Sequence, residues 1–187
     1  MAKEKVTRGK PAVSLCRGCV EVLTGDGKGK TTSAVGTVVR ALGHGLRVCI
    51  VVFMKGDYPY GEWSVLSNLP NIKIATFGFR EFTDPGKVKP EEKEQARLAL
   101  DFARGAMLSG DYDLVVLDEV NLAVAWKLIE LDEVLQLIKE KPGNVELILT
   151  GRYADRRIIE MADLVTECRK IKHPYDEGVL SREGIEF

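Results

Sequence analysis

Residues 23–32 read Leu-Thr-Gly-Asp-Gly-Lys-Gly-Lys-Thr-Thr, with three alternating glycines running directly into Lys30 and Thr31. A short apolar stretch, residues 19–24, precedes the glycines, and a helical stretch, residues 30–42, follows them. Glycine allows positive φ and close backbone approach to an anion. Loop amides and the start of the next helix then form an anion cradle. Lys30 adds a point charge for phosphate oxygens, and the Thr31 hydroxyl suits a magnesium ion. The common phosphate loop is G-x-x-x-x-G-K-S/T. Counting back from Gly29-Lys30-Thr31 puts its first glycine at position 24, but that residue is Thr24 and the glycine is Gly25. The loop is one residue short. A shortened loop is expected to hold a triphosphate differently and to leave a different atom of the nucleotide open to attack.

The rest of the chain continues the strand–helix alternation. Residues 47–54 form an apolar run, expected as a strand buried on both faces. Strands are further expected at 72–77, 114–117, 145–150 and 164–167, with helices at 90–108, 121–129, 132–140 and 154–161. Pro90-Glu91-Glu92 opens the first of these helices, with proline in the first turn and acids near the positive end of the dipole. A loop at 55–70 has room for one helical turn around 63–69. This pattern implies right-handed crossovers and an α/β fold, a mostly parallel central sheet with helices on both faces.

With 187 residues the chain is expected to form one domain, residues 19–187, after an N-terminal arm at 1–18 rich in Lys, Arg, Gly and Pro. The formal net charge of -1 argues against a nucleic-acid binder. No apolar run approaches the ~18 residues of a membrane span, and no signal-peptide segment opens the chain, so a cytoplasmic location is expected. Four cysteines, two of them within expected strands, do not suggest a disulfide framework. Cys16 and Cys19 form a C-x-x-C, but no second ligand pair completes a zinc site and no helix follows as in a redox motif. His44 and His173 are too isolated to be assigned a catalytic role.

Three further features could share the site. Leu114-Val115-Val116-Leu117-Asp118-Glu119 is an apolar strand ending in two acids, the pattern that holds magnesium beside a phosphate loop. Glu119 is a metal ligand or a base that activates water. Leu149-Thr150-Gly151-Arg152 places an arginine at a strand end, where it can pair with phosphate. The loops at 55–63 and 77–82 add aromatic rings at the same edge, which suits a flat apolar ligand. These residues alone leave three classes open: a nucleotide-dependent transferase, a P-loop kinase or ATPase, and a nucleotide-binding regulatory module.

The combination resembles a known family. The loop Thr24 to Thr32, Arg40-Ala41-Leu42-Gly43-His44-Gly45, Phe53-Met54-Lys55-Gly56 with Gly61-Glu62, Val116-Leu117-Asp118-Glu119, Pro142 with Thr150-Gly151-Arg152, and Lys172-His173-Pro174-Tyr175-Asp176-Glu177-Gly178 with Gly184-Ile185-Glu186-Phe187 are similar to the P-loop type of ATP:corrinoid adenosyltransferase. The resemblance spans about residues 20–187 and includes the shortened loop.

It implies a RecA-like P-loop fold, a homodimer, and attack of cob(I)alamin or a precursor on the 5′ carbon of ATP with release of triphosphate. The nucleotide would lie reversed in its loop compared with common P-loop hydrolases. By matching positions, Gly25, Asp26, Gly27, Lys28, Gly29, Lys30, Thr31, Thr32 and Arg152 would hold ATP, with Lys30 and Arg152 supporting the transition state. Thr31, Asp118 and Glu119 would hold Mg²⁺ or Mn²⁺, while Phe79, with Phe82, would face the corrinoid. The electron that generates Co(I) would come from a separate donor, a flavodoxin or other reductase. Where family members often read Gly-Phe-Thr-Trp, this chain reads Gly78-Phe79-Arg80-Glu81, followed by Phe82.

Overall fold

The computed structural model describes residues 15–56, 60–81 and 83–186. Six strands, β1 (Val20–Thr24), β2 (Val48–Val52), β3 (Ile72–Thr76), β4 (Leu114–Asp118), β5 (Glu146–Thr150) and β6 (Leu164–Glu167), form one sheet among these residues. Every pairing is parallel, in the order β3-β2-β4-β5-β1-β6. The loop strand β1 and the acid strand β4 are therefore not neighbours; β5 lies between them.

Burial follows position in the sheet. All residues of β2 and β4 are buried, as their unbroken apolar sequences require. The edge strand β6 is exposed along its whole length. One face is covered by α1 (Lys30–Gly43) and the short α2 (Gly61–Leu66), through Ala34, Val38, Ala41, Trp63 and Leu66. The other face carries α3 (Pro90–Leu108), α4 (Val120–Ala125), α5 (Leu131–Glu140) and α6 (Arg156–Met161). Helix α3 turns a row of small residues, Ala96, Ala99, Ala103 and Ala106, toward the sheet. Its first turn is closed by the Glu92 carboxylate, which accepts the Lys89 N–H at 2.7 Å.

Expected and observed elements agree to within about two residues at most ends. The largest differences are at α4, which stops at Ala125, and at the turn expected around 63–69, which begins earlier as α2. The chain is tied to the sheet from Gly18 onward. Gly18 N–H donates to the Gly143 carbonyl at 2.8 Å, and the Gly18 carbonyl accepts from Lys141 Nζ at 2.9 Å. Residues 1–14 of the expected arm lie outside the described residues. All four cysteines are free thiols.

At the opposite edge from the glycine loop, Asp113 binds three N–H groups of Arg47, the backbone N at 2.8 Å, Nε at 3.2 Å and Nη2 at 3.0 Å. These bonds hold the Asp113 carboxyl below its ordinary range. A carboxyl lowered by folding stabilises the protein above its unfolded value, about 4, and that contribution is lost as pH falls through the folded value. Asp113→Asn is expected to cost about 1 kcal/mol at neutral pH and to flatten the acid end of the stability–pH curve, measured by urea unfolding from pH 3 to 7.

Candidate active site

The carboxyl ends of all six strands meet at one edge, and the loops leaving them enclose a cavity of about 620 Å³. Its floor is the glycine loop. Gly25 and Gly29 have φ of 96° and 124°, in the left-handed region where a side chain is strained. Gly29 caps α1, so the helix begins at Lys30 with its free amides turned to the cavity.

Two of the glycines answer a further demand. A Cβ on Gly25 would lie 2.5 Å from the Cys168 carbonyl oxygen, and one on Gly27 would lie 2.7 Å from the Arg169 carbonyl carbon. The loop is stitched to this segment by Gly27 N–H to Cys168 O at 2.7 Å and Lys170 N–H to Asp26 Oδ1 at 3.1 Å. Packing against the chain beyond β6 thus requires glycine at 25 and 27 independently of any phosphate.

Lys30 is buried, and its ammonium donates to the Gly27 carbonyl at 2.7 Å. Burial pushes its pKa down, with the Glu119 charge opposing. Thr31 Oγ1 donates to Asp118 Oδ1 at 2.8 Å, and Thr150 Oγ1 donates to the same oxygen at 2.7 Å. Because the Thr31 proton is committed to Asp118, the oxygen's lone pairs remain to accept a cation. Asp118 Oδ2 is taken by Lys55 Nζ at 2.8 Å. Burial works to raise the Asp118 carboxyl, but the Lys55 charge and these three hydrogen bonds outweigh it and hold the group below its ordinary range.

Glu119 differs from its neighbour. Its backbone stands at φ 66°, an uncommon conformation for a side-chain-bearing residue, fixed by Glu119 N–H to Thr150 Oγ1 at 3.0 Å. Its Oε2 is buried without a partner among the described residues. Burial raises the Glu119 carboxyl, and the Asp118 charge adds to the rise.

The structure brings Gly27 through Thr32, Glu119 and Arg152 around one cavity, with Asp118 directly beneath. Phe79 stands apart: it is exposed and lines a second depression with Pro90 and Gln95. Phe82 lies outside the described residues. Not all the expected rings face the cavity. Tyr60 does, whereas Trp63 is buried against α1's face of the sheet and Phe77 packs on Phe102 at 5.8 Å.

Lys55, Trp126, His173 and the C-terminal turn 184–186 also line the cavity, and the sequence by itself gives none of them a role there. The C-terminal turn reaches the loop through Lys28 Nζ, which donates to Ile185 O at 2.7 Å and to Glu186 Oε1 at 3.0 Å. For Lys55 the signal is a lysine three residues beyond a fully buried strand. His173 and residues 184–186 fall in segments that carry the family resemblance, whereas for Trp126 only long-range packing could reveal the position.

A sequence model of the family described as ATP:corrinoid adenosyltransferase BtuR/CobO/CobP matches residues 16–187, which include every cavity residue named above. The chain belongs to this family. It is 37% identical over 186 residues to the corrinoid adenosyltransferase of Escherichia coli K12, covering 99% of this chain and 93% of that protein. It is 38% identical over 174 residues to corrinoid adenosyltransferase CobA of Salmonella typhimurium, covering 91% and 86% respectively. Among solved structures, the cytoplasmic domain of the Thermomonospora curvata type VII secretion ATPase EccC superposes with a TM-score of 0.51 at 17% identity, over 84% of this chain and 21% of that one. That likeness concerns the fold alone.

Proposed function

We propose that this chain transfers the 5′-deoxyadenosyl group of ATP to the Co(I) of a reduced corrinoid and releases triphosphate. The reading is carried by the family match across residues 16–187, which takes in the shortened loop and the cavity it floors. Cobalt supplies both electrons of the new Co–C5′ bond. The C5′–O bond breaks, and its electron pair leaves on triphosphate. Co(I) is a strong nucleophile, so the chain need not supply a base. Its work is to orient C5′, bind the leaving group and exclude water.

Residues Gly25 to Thr32, through loop amides other than that of Gly27, which is spent on Cys168, would hold the triphosphate with Lys28, Lys30 and Arg152. As negative charge grows on the leaving oxygen, Lys30 and Arg152, which both line the cavity, would stabilise it. The site suits Mg²⁺ or Mn²⁺, which would help neutralise the triphosphate. Thr31 offers lone pairs, Glu119 offers a buried unpartnered oxygen, and phosphate oxygens would complete the shell. With both of its oxygens engaged, Asp118 would act on the metal through Thr31.

Phe79 and Phe82 are assigned to the corrinoid by resemblance. A homodimer is supported by exposed apolar residues along β6, Leu164 and Val165, and by Ile171 beyond it. The reducing electron would come from a flavodoxin or other reductase. Free thiols fit a cytoplasmic setting, and no helix among the described residues is long and apolar enough to cross a membrane.

Incubation with Mg-ATP and chemically reduced cobalamin, followed by resolution of the phosphate products, tests the reading. Triphosphate is expected only when the corrinoid is present. ADP and phosphate formed without it would identify a kinase or ATPase instead.

A further inference from the structure

The acid pair beneath the cavity is already matched by a cation of the protein's own. Lys55 Nζ lies 2.8 Å from Asp118 Oδ2 and 3.6 Å from Glu119 Oε1, and 4.8 Å from the centroid of the Tyr60 ring. The turn that carries it is rigidly seated. Met54 and Gly56, on either side, have φ of 62° and 35°. A Cβ on Gly56 would lie 2.7 Å from the Phe79 carbonyl carbon, and one on Gly78 would lie 2.8 Å from Met54 Cα. The turns after β2 and β3 therefore pack backbone to backbone, and Lys55 is delivered from a fixed base.

The two acids are held unequally. Asp118 is fully buried, with Thr31 and Thr150 on one oxygen and Lys55 on the other. None of its oxygens is open to a metal ion. Glu119 is held only at 3.6 Å on one oxygen and not at all on the other among the described residues. Lys30, whose ammonium is buried beside the same cavity that Glu119 lines, adds a second positive charge to the two carboxylates. A bare divalent ion would enter a balanced site against two nearby positive charges, whose repulsion is strong where water is scarce. A metal–triphosphate complex is net negative, and its oxygens can accept from Lys30 and Arg152.

We infer that Lys55 is the site's resident cation, which closes Asp118 and Glu119 to a free divalent ion and admits metal at Glu119 only together with the triphosphate. Metal would then enter and leave with the nucleotide. The inference rests on the metal reading given above and is independent of the corrinoid.

Equilibrium dialysis of Mn²⁺ against the full chain tests it, with and without ATP. Wild-type protein is expected to retain Mn²⁺ at least about tenfold more tightly with ATP than without. Lys55→Met is expected to bind Mn²⁺ without nucleotide at least about tenfold more tightly than wild type. Its melting temperature should fall by about 10 °C, because a buried carboxylate loses its partner, and Mn²⁺ alone should recover most of that loss. Lys55→Gln keeps a donor without the charge and should show the same gain in Mn²⁺ affinity, while Lys55→Arg should behave as wild type.

Equal retention by wild type with and without ATP overturns the inference, whether or not the variants fold. So does an unchanged Mn²⁺ affinity in folded Lys55→Met or Lys55→Gln, and in that case the metal reading survives. No retention by wild type even with ATP overturns both.

Discussion

Lys30→Ala is expected to slow adenosyl transfer by about 1,000-fold while leaving the protein folded. Lys30 sits at the first position of α1, buried at the base of the cavity, with its ammonium 2.7 Å from the Gly27 carbonyl. In the ligand-free arrangement that carbonyl is a modest partner. A triphosphate offers charged oxygens instead, and the interaction strengthens as the C5′–O bond breaks and charge collects on the leaving group. Removing a donor of this kind reduces the rate of the chemical step more than it weakens nucleotide binding.

Stability should change by no more than about 1 kcal/mol, since the variant loses one hydrogen bond but also a partly desolvated charge. Lys30→Arg should not restore activity, because a planar, forked guanidinium does not reproduce the point contact of an ammonium. Triphosphate release under saturating corrinoid, read beside a thermal melt, checks both halves. Near-normal turnover with an intact fold would remove the glycine loop from the mechanism.

Asp118→Ala is expected to have the largest effect on stability, about 3–5 kcal/mol. The carboxylate ends a fully buried strand and joins three elements: Thr31 of α1, Thr150 of β5 and Lys55 beyond β2. Deleting it strands a Lys55 ammonium whose side chain is only 16% exposed, and leaves two hydroxyls without their acceptor. The folded Asp118 carboxyl lies below its ordinary range, so its contribution is present above pH ~4 and is lost as pH falls through the folded value. Urea unfolding at neutral pH should show the full loss, and the difference from wild type should shrink toward pH 3. A loss under about 1 kcal/mol would mean that Lys55 finds another counter-ion.

Much of the site was legible in the sequence because its signals are local. A glycine loop before Lys30 and Thr31, an apolar strand ending in Asp118 and Glu119, and Arg152 after a strand each occupy a few consecutive residues. Strand–helix alternation then puts the strand ends on one edge. The reason for a residue was less legible than its identity. Gly25 and Gly27 suggest phosphate contact in the sequence, yet in the fold they are also required by the backbone of Cys168 and Arg169. In sequence the aromatic loops suggest one ligand surface, but Trp63 is buried in the core, half-buried Phe77 packs on Phe102, and Phe79 lies on a different depression.

By itself, the sequence determined the shortened loop, the order of strands and helices, the α/β class and the family. All of these are written in short-range patterns. Only the tertiary structure decided that β5 lies between the loop strand and the acid strand, so that Thr150 shares Asp118 with Thr31. It also decided that Lys55 pairs with the acids and that the C-terminal turn grips Lys28. These contacts join residues 32 to 158 positions apart. Their partners are chosen by strand order and by the pairing of buried charge, which no local window of sequence contains.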